Sequence, residues 1–192
     1  RRAGNEYLFS MMAEANVETL NQAGVKKIVT TCPHCLHTLK NEYPLFGGNY
    51  EVIHHTEFID QLVREGKITV KPENNGQKLT FHDPCYLGRH NHVFDAPREN
   101  LKTLGIDYVE LENNRENSFC CGAGGAQMWK EEEKGDQPVR QKRFEEVQAC
   151  GADIVGTACP FCLTMMNDAA NELEANVQVK DVAELIAERL EE

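Results

Sequence analysis

The residues with the clearest chemical purpose are two adjacent cysteines, Cys120 and Cys121, in Asn117-Ser118-Phe119-Cys120-Cys121-Gly122-Ala123-Gly124-Gly125. Neighbouring thiols pack poorly and make a poor disulfide with each other. On a glycine-rich loop they suit a ligand that takes several sulfurs from one direction, because glycine opens backbone conformations closed to other residues. Cys85 lies upstream and Cys159-Pro160-Phe161-Cys162 downstream, giving the pattern C-x34-CC-G-x36-C-x-x-C. Cysteines at C-x-x-C spacing share one helical turn, so both sulfurs reach one metal atom, and a helix N-terminus favours the thiolate. Soft sulfur ligands select zinc, copper(I) or iron–sulfur clusters. About four thiolates satisfy a structural zinc or an ordinary cubane cluster. The set Cys85, Cys120, Cys121, Cys159 and Cys162 exceeds that and points to a larger or more open cluster.

The totals narrow the setting. With 192 residues the chain can form one large or two small domains with a real core. Acidic residues outnumber basic ones 31 to 20, for a net charge of −11, which argues against nucleic acid or an anionic membrane surface as partner. No apolar run approaches a membrane span, and the opening Arg1-Arg2-Ala3-Gly4-Asn5-Glu6 carries no secretory signal. Eight cysteines in that context read as metal ligands or redox thiols rather than a disulfide framework. The expected location is the cytoplasm or the cytoplasmic face of a membrane complex.

The elements that must position these sulfurs alternate in type. Leu8, Met11, Met12, Ala15, Val17 and Leu20 form a helical stripe over residues 5–22, closed at Gly24. A β-branched stretch at 25–31 predicts a buried strand running into Cys32-Pro33-His34-Cys35, where Pro33 opens a helix to about Tyr43. A strand at 50–55 and a helix capped by Thr56 follow. Residues 71–77 are a polar turn cluster and the expected boundary between units at 1–71 and 78–192. Strands are then expected at 78–82, 107–111, 152–157 and 177–179. Helices are expected at 96–104, at 125–150 with a break at 135–138, after Cys159, and from the cap Asp181 to Leu190. Strand alternating with helix implies an α/β fold with parallel sheets.

The order also repeats. The run from Val25 to Leu36 aligns with the run from Ala152 to Leu163 at a shift of 127 residues (159 − 32). The expected architecture is two pseudo-repeated lobes, each a small parallel sheet flanked by helices, with ligands on loops at strand ends. Shifted back by 127, Cys85, Cys120 and Cys121 fall before residue 1. The first lobe is therefore expected to be the C-terminal part of a unit that begins in a missing N-terminal part, with Cys32 and Cys35 as its share of a site.

On these motifs, with His82-Asp83-Pro84-Cys85, Cys120-Cys121-Gly122 and Cys159-Pro160-Phe161-Cys162 in the second lobe and Cys32-Pro33-His34-Cys35 in the first, the sequence resembles the cysteine-rich CCG domain. That domain belongs to heterodisulfide reductase B/D subunits and related iron–sulfur oxidoreductases, including glycolate, lactate and anaerobic glycerol-3-phosphate oxidase subunits. The resemblance spans nearly the whole chain. It implies a noncubane [4Fe-4S] cluster on Cys85, Cys120, Cys121, Cys159 and Cys162, with Cys32 and Cys35 left from a first site. In some relatives zinc stands in place of one cluster. It also implies electron transfer in a larger oxidoreductase, with disulfide reduction at the cluster. The implied partners are a flavoprotein, a ferredoxin-like module or a quinone-linked membrane subunit.

Other readings stand beside this one. The sulfurs could hold a structural zinc in a non-catalytic scaffold. Cys32-Pro33-His34-Cys35 also matches the dithiol motif of thioredoxin-like disulfide oxidases. His82, Asp83 and Gly122 either tune a cluster from behind its ligands or simply pack and turn the chain. His54-His55 reads as a strand end and helix cap. His90 and His92 face an approaching substrate or partner or lie on a solvated loop. Cys150, whose counterpart is Ala23, reads as a packed thiol. Arg1-Arg2 and residues 130–134 read as solvated helix faces.

Overall fold

Asn5 starts the first helix, α1 (Glu6–Gln22), by accepting the Leu8 N–H at 2.9 Å, and Gly24 at φ +67° ends it. The computed structural model describes residues 1–131 and 134–191. After α1 come β1 (Lys27–Thr30), α2 (Pro33–His37), β2 (Glu51–His54) and α3 (His55–Arg64). A π-helical turn over Thr38–Glu42 and a 3-10 turn over Tyr43–Phe46 prolong α2. The second half runs β3 (Lys78–Phe81), α4 (Asp95–Thr103), β4 (Asp107–Tyr108), α5 (Val139–Ala149), β5 (Ile154–Thr157), α6 (Pro160–Glu172), β6 (Gln178–Asp181) and α7 (Val182–Ala187). Every pairing between these strands is parallel, as strand–helix alternation demands. One sheet is β1-β2 and the other β4-β3-β5-β6. Among the described residues no helix is long and apolar enough to cross a membrane.

The shift of 127 holds element by element: 27 to 154, 33 to 160, 51 to 178 and 55 to 182. The repeat therefore comprises a strand, a cysteine-bearing helix start, a second strand and a second helix. In the second sheet β3 occupies the edge of β5 away from β6. The corresponding edge of β1 has no strand partner among the described residues. This corrects the buried strand expected at 25–31, since Val29 is 44% exposed. Composition registers β-branched residues but not whether a neighbouring strand covers them.

The two lobes share a core. Leu36 and Val52 of the first lobe pack in one cluster with Leu79, Phe81, Leu101, Leu185 and Ile186 of the second. Helix α3 lies against α4 and α7 at this seam. A separate cluster under α5 and α6 contains Phe144, Val147, Val155 and Met166 together with Cys121, Cys159 and Cys162. Helix α1 buries only Ala13 and Val17, against Tyr43, while Leu8, Met11 and Met12 of the expected stripe stay exposed.

Two further expectations change. The helix expected at 125–150 is a 3-10 turn at Gln127–Trp129 and then α5, which waits until after Pro138. Ala126 at φ +65° and the glycines around it break the helical path. Lys130, Glu131 and Lys134 are exposed but lie on no helix, and Glu132 and Glu133 fall outside the described residues. The cap of α3 is His54, not Thr56. His54 Nδ1 accepts the Thr56 N–H at 3.4 Å and contacts its Oγ1 at 2.8 Å, while Glu57 accepts the His54 N–H. The shift of 127 pairs His54 with Asp181, the cap of α7, so an imidazole nitrogen here replaces a carboxylate oxygen.

With Nδ1 accepting, the His54 hydrogen sits on Nε2 and is donated to the Thr31 carbonyl at 3.3 Å. Burial, and then the neighbouring His55, push the His54 pKa down to about 3. Below the ordinary histidine pKa the unfolded chain therefore binds a proton that the folded chain refuses. This share of stability is complete above about pH 6.5 and is lost as pH falls toward 3, by roughly tenfold in the folding constant per pH unit. His54→Asn keeps a capping oxygen and removes the titration. Urea midpoints measured at pH 7 and pH 5 should fall more steeply for wild type than for the variant, and equal slopes would remove His54 as the cause.

Candidate metal centre

The chain leaves β3 through His82-Asp83-Pro84-Cys85, and this turn is gripped from behind. Asp83 is buried, and Arg98 of α4 holds it with two bonds, Nη1 to Oδ1 at 2.7 Å and Nη2 to Oδ2 at 2.8 Å. The same guanidinium holds Glu110 at 2.7 and 2.9 Å and donates to the Phe94 carbonyl at 2.9 Å. Asp83 Oδ2 also accepts the Arg115 N–H at 2.8 Å, and its carbonyl accepts the Ser118 hydroxyl at 3.0 Å. Asp83 thus ties the Cys85 turn to the loop that delivers Cys120 and Cys121, beyond forming a turn.

A second buried arginine, Arg143 of α5, secures the same loop. Its Nη1 donates to the Asn113 carbonyl and to Glu146 Oε2, both at 2.8 Å, and its Nη2 to Ser118 Oγ at 3.3 Å. Neither arginine was singled out from the sequence. A signal was present, because Arg143 precedes Phe144 on the buried face of α5 and Arg98 shares a buried face with Leu101.

The sulfurs converge in front of this frame. Cys159 and Cys32 hold the N-cap positions of α6 and α2, each followed by proline, which places Cys162 and Cys35 within the first turn. Cys121 Sγ and Cys162 Sγ stand 3.3 Å apart, and His82 lies within 4.8 Å of both. Cys121, Cys159 and Cys162 are buried, Cys32, Cys85 and Cys120 half-buried, and Cys35 exposed. All are free thiols. Gly122 sits at φ +92° and donates its N–H to Cys120 Sγ at 3.2 Å, and a Cβ there would stand 3.3 Å from Val139 Cβ. That close approach and left-handed backbone require the glycine. Cys150 stands apart from this set, its thiol bonded to the Val147 carbonyl at 3.1 Å.

Crowded thiols cannot all ionise together. Cys121 is held well below the ordinary thiol range by hydrogen bonds from Cys120 and Cys162, with His82 adding to them. Cys162 and Cys120 are raised in turn, chiefly by Cys121. Burial and the charges of Cys121 and Cys159 raise Cys85. Cys159 is lowered to about 6 by Cys162 and then by His34 against the cost of burial. Cys32 is lowered to about 4 by Cys35 and then by His34, whose Nδ1 lies 3.8 Å from its sulfur.

His34 stands between the two CPxC motifs, its Nδ1 3.8 Å from Cys32 Sγ and its ring centroid 5.2 Å from that of Phe161. Burial lowers its pKa, but Cys159 and Cys32 outweigh that and push it up to about 9. Around it runs a line of rings at the rim: Trp129 on Phe161, Phe161 on His34, His34 on Tyr86 and Tyr86 on His90. His90 and His92 are both exposed, and of the two only His90 joins this line. Arg2 is no solvated helix face, because it donates to the Tyr86 hydroxyl and pairs with Glu42, each at 2.6 Å. His54 and His55 serve as cap and lobe clasp, His55 Nε2 lying 3.0 Å from Asp181 Oδ1.

The protein-family model described as a cysteine-rich domain, CCG, matches residues 1–40 and 79–167, which carry all the cysteines of this site. The chain belongs to the CCG family. This CCG protein is 47% identical over 200 residues to the EtfAB:quinone oxidoreductase of Syntrophomonas wolfei, a match covering 100% of the chain and 28% of that relative. It is 47% identical to the probable iron-sulfur-binding oxidoreductase FadF of Bacillus subtilis, over 98% of the chain and 27% of the relative. It is 37% identical to a subunit of the dihydromethanophenazine:CoB–CoM heterodisulfide reductase of Methanosarcina barkeri, over 93% of the chain and 44% of the relative. The chain thus spans less than half the length of each of these relatives.

Removing Arg98 would leave the buried Asp83 carboxylate without its cation. Arg98→Met should cost about 3–5 kcal/mol of stability, the usual penalty for breaking a buried pair. Denaturant unfolding of the variant measures this, and a loss below about 1 kcal/mol would make the pair an exposed-type bridge.

Proposed function

We propose that this CCG domain binds one iron–sulfur cluster through Cys85, Cys120, Cys121, Cys159 and Cys162, and that it passes electrons within a larger oxidoreductase. The observation that carries the reading is the packing of free sulfurs, with Cys121 and Cys162 at 3.3 Å, well beyond the disulfide length of about 2.05 Å. The donor set fits the group. It is all sulfur and offers one thiol more than the roughly four that a structural zinc uses. Gly122 stands at φ +92° with Val139 Cβ only 3.3 Å from where a Cβ would stand, which favours glycine on the loop that carries two of the donors. The finer assignment, a noncubane [4Fe-4S] cluster, is supported by that fifth thiol. Bound there, such a cluster accepts and returns single electrons.

The chain's own residues would do the rest. The core beneath α5 and α6 excludes water behind Cys121, Cys159 and Cys162. The Gly122 N–H stabilises charge on Cys120. His34 sits between Cys32, whose sulfur is 3.8 Å from its Nδ1, and Phe161 of the second CPxC motif, at 5.2 Å between ring centroids. Cys32 and Cys35 form part of a further site for a cluster or zinc. A disulfide is the substrate class suggested by the name of one relative. It would take up two electrons and two protons to give two thiols. The partners proposed are a flavoprotein, a ferredoxin-like module or a quinone-linked membrane subunit, with the domain on the cytoplasmic side.

The test is iron, zinc and acid-labile sulfide content, with EPR, on protein purified without oxygen. About four irons and four sulfides per chain are expected, with signals unlike those of a cubane cluster. Cys121→Ser should lose most of both, and Cys35→Ser should lose neither. One zinc without sulfide would establish a structural site instead. Redox activity that survives Cys121→Ser but not Cys32→Ser would establish dithiol chemistry.

A further inference from the structure

His82, Cys121 and Cys162 bring three metal-binding atoms within 4.8 Å of one another, all buried, and by distance alone the imidazole could be a ligand. The hydrogen bonding behind it decides otherwise. Arg143 Nε donates to His82 Nδ1 at 3.0 Å. A guanidinium N–H cannot act as acceptor and stays protonated, so Nδ1 must present its lone pair to Arg143. Nor can Arg143 swing away to free that nitrogen. It has no exposed surface, and its other bonds reach Asn113, Glu146 and Ser118, on two different stretches of chain.

The neutral ring has one hydrogen, and Arg143 assigns it to Nε2. Ligation through Nε2 would require the hydrogen on Nδ1, directly against the Arg143 N–H. Ligation through Nδ1 would require the lone pair that Arg143 already occupies. What remains is a single N–H on the side of the ring away from Arg143. His82 lies within 4.8 Å of both Cys121 Sγ and Cys162 Sγ. Of the two sulfurs Cys121 is the acceptor, taking the Cys162 thiol hydrogen at 3.3 Å, and His82 helps to hold its pKa low.

We propose that Arg143 locks His82 as the Nε2–H tautomer and that His82 donates this hydrogen to Cys121 Sγ, acting as a positioning residue and not as a metal ligand. Hydrogen bonds to ligating sulfurs withdraw electron density and raise the reduction potential of the group they hold. The pair Arg143–His82 then sets the potential of whatever Cys121 binds. The effect on potential rests on the cluster reading above, whereas the tautomer does not.

Two isosteric variants separate the roles. His82→Asn keeps an amide oxygen where Nδ1 accepts from Arg143 but no longer reaches Cys121. His82→Gln reaches the Nε2 position with an amide donor. With His82→Asn, iron and sulfide should stay at the wild-type level while the midpoint potential, followed by EPR, shifts to more negative values. His82→Gln should return the potential toward wild type. Loss of iron and sulfide in His82→Asn, or nitrogen hyperfine coupling of ligand strength at the wild-type cluster, would make His82 a ligand and overturn the proposal. An unshifted potential would also overturn it. In the iron-free wild-type chain, nitrogen-15 long-range NMR should report the Nε2–H tautomer, changing in Arg143→Gln. An Nδ1–H ring in wild type would overturn the proposal even if the variants failed to fold. Wild-type protein without iron would instead remove the cluster reading and leave the tautomer to be decided by NMR.

Discussion

Two buried guanidinium groups hold the sulfur site together. A charged side chain taken out of water costs several kcal/mol unless its hydrogen bonds are replaced with good geometry. Arg98 meets this condition between Asp83 and Glu110, and Arg143 meets it with Glu146, the Asn113 carbonyl, Ser118 and His82. Apart from Glu146 on α5 itself, these partners lie on the turn after β3 and on the long loop after β4. Neither stretch has a strand or α-helix to keep it in place. The loop could adopt many conformations if only its few apolar residues anchored it. Because the arginines cannot leave their partners without exposing unpaired charge, the turn holding Cys85 and the loop holding Cys120 and Cys121 are fixed to each other.

The helix-borne cysteines are positioned by another means. Cys159 and Cys162 come at the end of β5, which is buried along its whole length between β3 and β6. Cys32 and Cys35 come at the end of β1, which has one strand partner among the described residues and an exposed face. The same motif thus stands on a rigid support in one lobe and a lighter one in the other. The clasp between His55 and Asp181, the His54 bond to Thr31 and the shared core around Leu36 and Leu79 limit movement of the lighter half.

Much of this was legible in the sequence because it depends on spacing. The alternation of strand and helix and the shift of 127 are one-dimensional signals, and each has its counterpart in the fold. What was not legible depends on partners far along the chain. Arg143 reaches His82 across 61 positions, and no local propensity reports such a pair. The cap of α3 was divided in the sequence between Thr56 and the His54-His55 pair, because histidine is a rare capping residue, although the repeat placed His54 opposite Asp181. The exposed stripe on α1 shows the complementary limit, since periodicity identifies an apolar face but not what covers it.

Together these supports give the site two unlike sides. Behind Cys121, Cys159 and Cys162 lie His82, Arg143 and a buried apolar cluster. In front are Cys35, Phe119 and Trp129, all exposed, with the rings of Phe161, His34 and Tyr86 between the lobes. A group held by these sulfurs would be tuned from the closed side, where the hydrogen bonds are fixed, and approached from the open one. The closed side needs rigidity, because a donor that moved would vary the charge on Cys121. The open side needs only surface for a partner to rest on, and rings with few rotatable bonds supply that at little cost in entropy.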